Sequence, residues 1–321
     1  MKILTVCIVC NEENSNLNKI VESCLLLKED IEVLVLGEED NDMLQEAQKY
    51  AEEYPEDVKV HISPLLDSLQ NGIQQANGLY FKLFDSKDSL DTSVLVKVVE
   101  TFKDLLRIQA NLDMMICDYE YPRKKKKRDV VEYVDVFPLD KVFEWHQTKA
   151  FKIMCKMSME GIIVKTNILK KLDLSFFYNQ YIQELLVLKI LPSIKSMYYL
   201  DKTLQHIDSP KYKNHTIVSL QQYHTILNEI VDTVDITNIE SRKFRNYMIN
   251  HINSLLLYFF NACMKQNSIE ARVHKEEILE HIILENTSLY RALRKTAVFK
   301  LYSSDVKLSN VLIARKYKNM K

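Results

Sequence analysis

The stretch "YFKLFDSKDSL", residues 80–90, decides how the rest of the chain is read. Tyr80 to Phe84 has the aromatic and apolar character of a strand, and it stops at three charged side chains within four positions, Asp85, Lys87 and Asp88. If the run is a strand buried in a parallel sheet, Asp85 stands at its carboxyl end, where open α/β sheets bind ligands. The reading therefore turns on whether strands and helices alternate around it.

Upstream they do. "KILTVCIV" (2–9) is apolar and β-branched and runs into Asn11-Glu12-Glu13-Asn14, which reads as the start of a helix with carboxylates on its first turn. "LNKIVESCLLL" (17–27) has helical spacing, "IEVLVLG" (31–37) is a second apolar run, and "NDMLQEAQKYAEEY" (41–54) is an amphipathic helix stopped by Pro55. "VKVHI" (58–62) is a third strand, and "LLDSLQNGIQQANG" (65–78) is a helix whose C-terminus Gly78 marks. This alternation predicts a largely parallel sheet covered by helices.

Downstream come a helix over about 92–110, a strand "DMMICDYEY" (113–121), the basic tract 123–128 and "VVEYVDVF" (130–137), the two apolar runs forming a hairpin about a charged turn. "MSMEGIIVKTNILKKLDL" (157–174) predicts a strand and short helix, "NQYIQELLVLKIL" (179–191) a helix closed by Pro192, and "SMYYLDKTL" (196–204) a last strand. From Ile217 the pattern is helical to the end. Pro210, Lys211, Lys213 and Asn214 read as a polar linker, giving an α/β domain over 1–212 and a helical one over 213–321.

Composition narrows the function. The 43 basic and 44 acidic residues leave a formal charge of −1, so the global balance favours no nucleic-acid partner. The four glycines, Gly37, Gly72, Gly78 and Gly161, cannot supply a dinucleotide loop or a P-loop. The longest apolar runs, such as "SLLLYFF" (254–260), fall short of the roughly 20 residues of a membrane span, and the N-terminus reads as a buried strand rather than a signal peptide. A cytoplasmic protein is expected. The six cysteines form no disulfide pattern. Cys7 and Cys10 make a C-x-x-C pair, but on a strand residues three apart face opposite ways, so both are read as buried hydrophobes.

A first strand ending in Asn-Glu-Glu, a second with an acidic end, a helix opening "QNGI", a strand ending in Asp-Ser-x-Asp, a hairpin and a later helix with a carboxylate at its start together resemble the inverting family 2 glycosyltransferases of the GT-A fold. The resemblance covers about residues 2–208, and the helical C-terminus is similar in layout to that of wall teichoic acid glycosyltransferases. It implies a GT-A nucleotide-sugar-binding domain of mixed, mainly parallel sheet with flanking helices, followed by an α-helical region. It also implies a UDP-sugar donor seated by Ile8, Cys10, Asn11, Glu13, Gly37, Glu38 and Glu39. Gln70 stands where the family places an arginine, ahead of Asn71 and Gly72. The family's Asp-x-Asp motif becomes Asp85-Ser86-Lys87, with Asp88 one place beyond, so Asp85 is the carboxylate left for Mn or Mg. The acidic pair that supplies the general base becomes Gln183-Glu184, making Glu184 the base, and His206 is the nearest residue to a basic group facing the diphosphate.

Each site residue also has a plainer reading. Asp85 is either a ligand-facing carboxylate or the N-cap of the following helix. Lys87 either replaces the metal as a point charge on phosphate or marks a site no longer used. Glu184 is either the base or a first-turn glutamate complementing the helix dipole. The tract Arg123, Lys124, Lys125, Lys126, Lys127, Arg128 is either a solvated hairpin tip or a contact for an anionic polymer acceptor or the inner membrane face, and no aromatic residues are interleaved to stack bases. His274 and His281 lie two helical turns apart with no third ligand in view, which argues against a metal there. Phe244, Tyr247, Ile252, Leu255, Leu256, Tyr258, Phe259 and Phe260 form core, an acceptor surface or an oligomer contact. Two functions stay open: sugar transfer to a cell-envelope glycan or polymer, and a glycosyltransferase-like scaffold without catalysis.

Overall fold

The structure is a computed structural model that describes residues 1–10, 16–38, 43–62, 65–122, 128–151, 156–172, 182–208 and 220–302, with backbone alone at 65–68 and 182–184. The chain forms two compact units, Met1–Thr148 with Met157–Pro210, and Lys149–Lys156 with Lys211–Lys321.

The first unit begins with β1 (Leu4–Cys10), α1 (Leu17–Leu25), β2 (Ile31–Gly37), α2 (Met43–Glu53), β3 (Val58–Ile62), α3 (Leu65–Gln75) and β4 (Tyr80–Asp85). The short β5 (Ser89–Leu90), α4 (Thr92–Arg107), β6 (Met114–Pro122), β7 (Arg128–Val131) and β8 (Val142–Phe143) follow. β9 (Ile162–Lys165), α5 (Thr166–Leu169), α6 (Ile182–Ile190) and β10 (Met197–His206) complete it. One sheet runs β3-β2-β1-β4-β9-β6-β10-β5, with β7 on β6 and β8 on β10. β3, β2, β1 and β4 are parallel. β9 runs antiparallel to both β4 and β6, so β6 and its parallel neighbour β10 point the same way as β4. This double reversal brings the ends of β1, β2, β4, β6 and β10 to one edge.

The apolar runs are buried because both sheet faces are covered. Every residue of β2 and β4 is buried, and Val6, Ile8, Val33 and Val35 join Leu95, Val98 and Phe102 of α4 in one core. Tyr80 stacks on Phe102 at 3.9 Å between ring centroids. Asp91 caps α4, its carboxylate accepting from the Ser93 and Val94 amides.

Three expectations are corrected. Gly78 is not the C-cap of α3: the helix ends at Gln75 and no glycine has positive φ. Gly78 is instead needed for close approach, since a Cβ there would lie 2.4 Å from the Thr5 nitrogen. α1 starts at Leu17 without an acid in its first turn. The second hairpin arm stops at Val131, and a turn closed by Val136 N–H to the Tyr133 carbonyl follows, packing Tyr133 and Phe137 on Tyr199.

The second unit contains α7 (Leu220–Thr233), α8 (Arg242–Gln266), α9 (Ile269–Glu285), α10 (Thr287–Leu293) and α11 (Ala297–Tyr302). Phe244, Tyr247, Ile252, Leu255, Leu256, Phe259 and Phe260 of α8 are its buried core, and Tyr258 is half-buried. Two amides tie its helices together: Asn253 Oδ1 accepts from Tyr302 and Thr296, and Asn286 Nδ2 donates to the carbonyls of Val231 and Val234 at 2.8 Å each. Phe151 belongs with this unit, its ring lying 4.5 Å from that of Tyr247. No helix among the described residues is long and apolar enough to cross a membrane.

Candidate functional site

The site is built on the loop that leaves β4. Asp85 ends the strand, 8% exposed, and accepts the Lys87 amide at 3.1 Å, a local turn that a short carboxylate makes without strain. The N-cap of α4 is Asp91, so Asp85 does not hold that role. Ser86 N–H donates to the Val9 carbonyl, tying the loop to the end of β1. There the buried Cys10 thiol bonds Ser86, and burial, with the Asp85 charge adding, pushes its pKa up to about 11. Such a thiol is neither a nucleophile nor a redox group at neutral pH. Among the described residues Cys7, Cys10, Cys24, Cys117 and Cys263 are all buried thiols.

Asp88 has a different place from Asp85. It is fully buried, its Oδ2 accepts from Gln205 Nε2 at 2.5 Å, and its Oδ1 lies 3.4 Å from the Asp208 amide. Its charge also acts on Lys82, which is wholly buried in β4 and donates to the carbonyls of Met159 and Glu160 at 2.9 and 2.7 Å. Burial pulls the Lys82 pKa down to about 8 against the pull of Glu160, Cys117 and Asp88. Asp88 thus pins the loop to the end of β10.

A second cluster borders the loop on the same edge. His206 Nδ1 is 2.6 Å from Glu120 Oε1, which also meets Arg128 at 3.2 Å, and Arg128 reaches Asp208 at 3.1 Å. Asn16 closes the ring: its backbone N–H donates to the Ser86 carbonyl, and its side-chain amide donates to the Lys87 carbonyl at 2.8 Å and to Asp208 at 3.3 Å. Asn16 precedes α1 but makes no side-chain cap, because the amide is committed to this loop.

The structure therefore gathers Cys10, Asp85, Lys87, Asp88 and His206 at the sheet's carboxyl edge, and adds Asn16, Glu120, Arg128, Gln205 and Asp208, which sequence reasoning did not single out as a group. Register explains the omission: Glu120 faces His206 only once β6 and β10 pair in parallel. Glu38 follows β2 exposed, and Asn71 is exposed on α3. Glu184 falls in the first turn of α6, and at that position only the backbone is described. Asn11, Glu13, Glu39 and the tract from Arg123 to Lys127 lie outside the described residues, while Arg128 opens β7.

A further titratable group lies along β6. Asp118 is buried, accepts from Tyr199 OH at 2.7 Å, and has its pKa raised to about 7 by burial, against the Tyr199 hydrogen bond and reinforced by Asp201 and Glu132. Tyr199 in turn accepts the Tyr133 amide.

This sheet order, with one antiparallel strand set into a parallel series and a polar loop at the carboxyl edge, defines a GT-A glycosyltransferase-like fold. The solved structures on which the chain superposes include S. aureus TarS. The TarS 1–349 structure matches at TM-score 0.60 and 15% identity, over 100% of this chain and 92% of that one. TarS 1–349 with UDP-GlcNAc matches at TM-score 0.61 and 14% identity, over 99% and 92%. A longer TarS chain matches at TM-score 0.64 and 14% identity, and this chain spans 55% of its length. No protein-family model and no curated protein sequence matches the chain.

Proposed function

We propose that the chain takes a sugar from a nucleotide-sugar donor, a UDP-sugar in the simplest case, and transfers it with inversion to a cell-envelope glycan or polymer. The observation that carries this reading is the buried Asp85 turn at the carboxyl end of β4, tied to the end of β1, in a fold shared with a protein crystallised with UDP-GlcNAc. Cys10, Asn11, Glu13, Glu38 and Asn71 border the nucleotide, Asp85 meets the donor, Lys87 and His206 meet the diphosphate, and Glu184 is the base.

The residues of the loop do not fit a divalent metal. A hard cation needs several oxygen ligands, yet Lys87 occupies one motif position and both Asp88 oxygens face donors within the protein. The ammonium of Lys87 then supplies the positive charge that a leaving diphosphate requires. The tract 123–128 serves an anionic acceptor or the inner membrane face, bringing the protein to that surface from the cytoplasm.

The alternative is a binding or scaffold subunit without catalysis, favoured by the same Asp88 engagement and by Gln70, whose Oε1 is buried with no partner where a basic residue would hold phosphate. Calorimetry against UDP and UDP-GlcNAc, with and without Mn2+, separates the two. Metal-independent binding, weakened at least about tenfold in Asp85→Asn and in Lys87→Ala, is expected. Binding only with Mn2+ overturns the role given to Lys87, and absence of nucleotide binding supports the scaffold. If UDP-GlcNAc turnover is found, Glu184→Gln should abolish it while leaving UDP affinity unchanged.

A further inference from the structure

The second unit holds a cluster of ligating side chains unconnected with the sugar-donor site. His224 on α7 and His274 on α9 are 9% and 7% exposed, and their rings lie 5.1 Å apart. Glu277, one turn along α9 from His274, places Oε2 3.3 Å from His274 Nδ1 and 3.9 Å from His224 Nδ1. One nitrogen or oxygen of each of the three residues falls within 4.8 Å of the other two.

Four buried polar atoms here lack hydrogen-bond partners. His224 Nε2, both ring nitrogens of His274, and Asn228 Oδ1 one turn further along α7 are buried without one; the Glu277 contact is near but not aligned. Burying unsatisfied polar groups is unfavourable, so several in one seam of a helical core point to a ligand. The His224 ring is fixed by stacking on Phe259, 6.3 Å away and tilted by 15°. The seam itself is fastened at its far end by Asn286 to the last carbonyls of α7 and by His281 to Asp232 at 2.7 Å.

We infer that His224, His274 and Glu277 bind a divalent first-row transition ion, with zinc as the representative. Two imidazoles and a carboxylate form a donor set that suits zinc. Bonds of about 2.0–2.2 Å at tetrahedral angles place ligand atoms about 3.3 Å apart; Glu277 Oε2 already stands 3.3 and 3.9 Å from the two Nδ1 atoms, and a small turn of the imidazoles toward each other brings the set, now within 4.8 Å, to that spacing. Glu277 lies on the open side, 50% exposed, and gives the ion its entry. The spacing of His274 and His281 along α9 argued against a metal. The third ligand comes from another helix, and His281 is instead paired with Asp232.

The test uses the full chain, without an affinity tag that binds metals, stripped with chelator and titrated with Zn2+ by calorimetry, with bound metal counted by elemental analysis after gel filtration. One equivalent per chain and a raised melting temperature are expected. Glu277→Gln, a half-exposed position that should fold normally, and His224→Gln should each weaken binding at least about tenfold, and His281→Gln should leave it unchanged. Zinc that fails to co-elute, or binding that survives both Glu277→Gln and His224→Gln, overturns the proposal. Neither result bears on nucleotide binding, which involves other residues in the first unit.

Discussion

At the residue scale, the charged groups of the first unit have pKa values set by what surrounds them. Glu32 is buried, which raises its pKa, but hydrogen bonds from Thr5, Asn77 and Gly78 outweigh this and hold it low. Asp118 goes the other way, to about 7. Because its folded pKa lies above that of an unfolded aspartate, the native state binds the extra proton between about pH 4 and 7. Its contribution to stability is full below that window and is lost as pH rises through 7. Asp118→Asn keeps an acceptor for Tyr199 and removes the charge. Chemical denaturation of this variant should show a flatter pH profile between 4 and 7 and higher stability at pH 8, by about 1–3 kcal/mol after allowance for solvent screening. An unchanged profile would contradict the assignment. Asp85, Lys87 and Asp88 were legible in the sequence as a group, but their separate roles were not, because which carboxylate is buried against Gln205 depends on the loop's backbone.

At the element scale, the strands and helices were largely readable from periodicity, since burial on both faces leaves near-continuous apolar runs in β1, β2 and β4. Gly78 was misread because helix ends and close backbone contacts both select glycine. Its actual role predicts that Gly78→Ala drives a methyl into the β1 backbone and costs about 2–4 kcal/mol, seen as a lowered denaturation midpoint. A helix-terminal glycine would show about 1 kcal/mol or less. Asp91→Ala removes the α4 cap and should cost about 1 kcal/mol, whereas removing Asp85 should leave the stability of α4 unaffected. The Asn16 amide was invisible for a related reason: before a helix it reads as a cap, yet its partners, Lys87 and Asp208, are 71 and 192 residues away.

At the scale of the whole molecule, the two compact units carry separate cores. Calorimetric unfolding should accordingly depart from a single two-state transition. Leu95→Ala, in the core beneath α4, and Leu256→Ala, in α8, each leave a cavity worth about 2–5 kcal/mol, and each should lower a different component of the endotherm. A single transition moved equally by both would show one cooperative body. What the sequence alone determined was the alternating α/β order, the helical C-terminal region and the position of Asp85 at a strand's end, because these follow from local periodicity and side-chain chemistry. Only the tertiary structure decided which charges meet. The reversal at β9 sets β6 and β10 parallel to β4 and so brings Glu120, His206 and Asp208 beside the Asp85 loop. The packing of α7 on α9 likewise joins His224 to His274 and Glu277 across 50 residues of chain, a distance no local pattern spans.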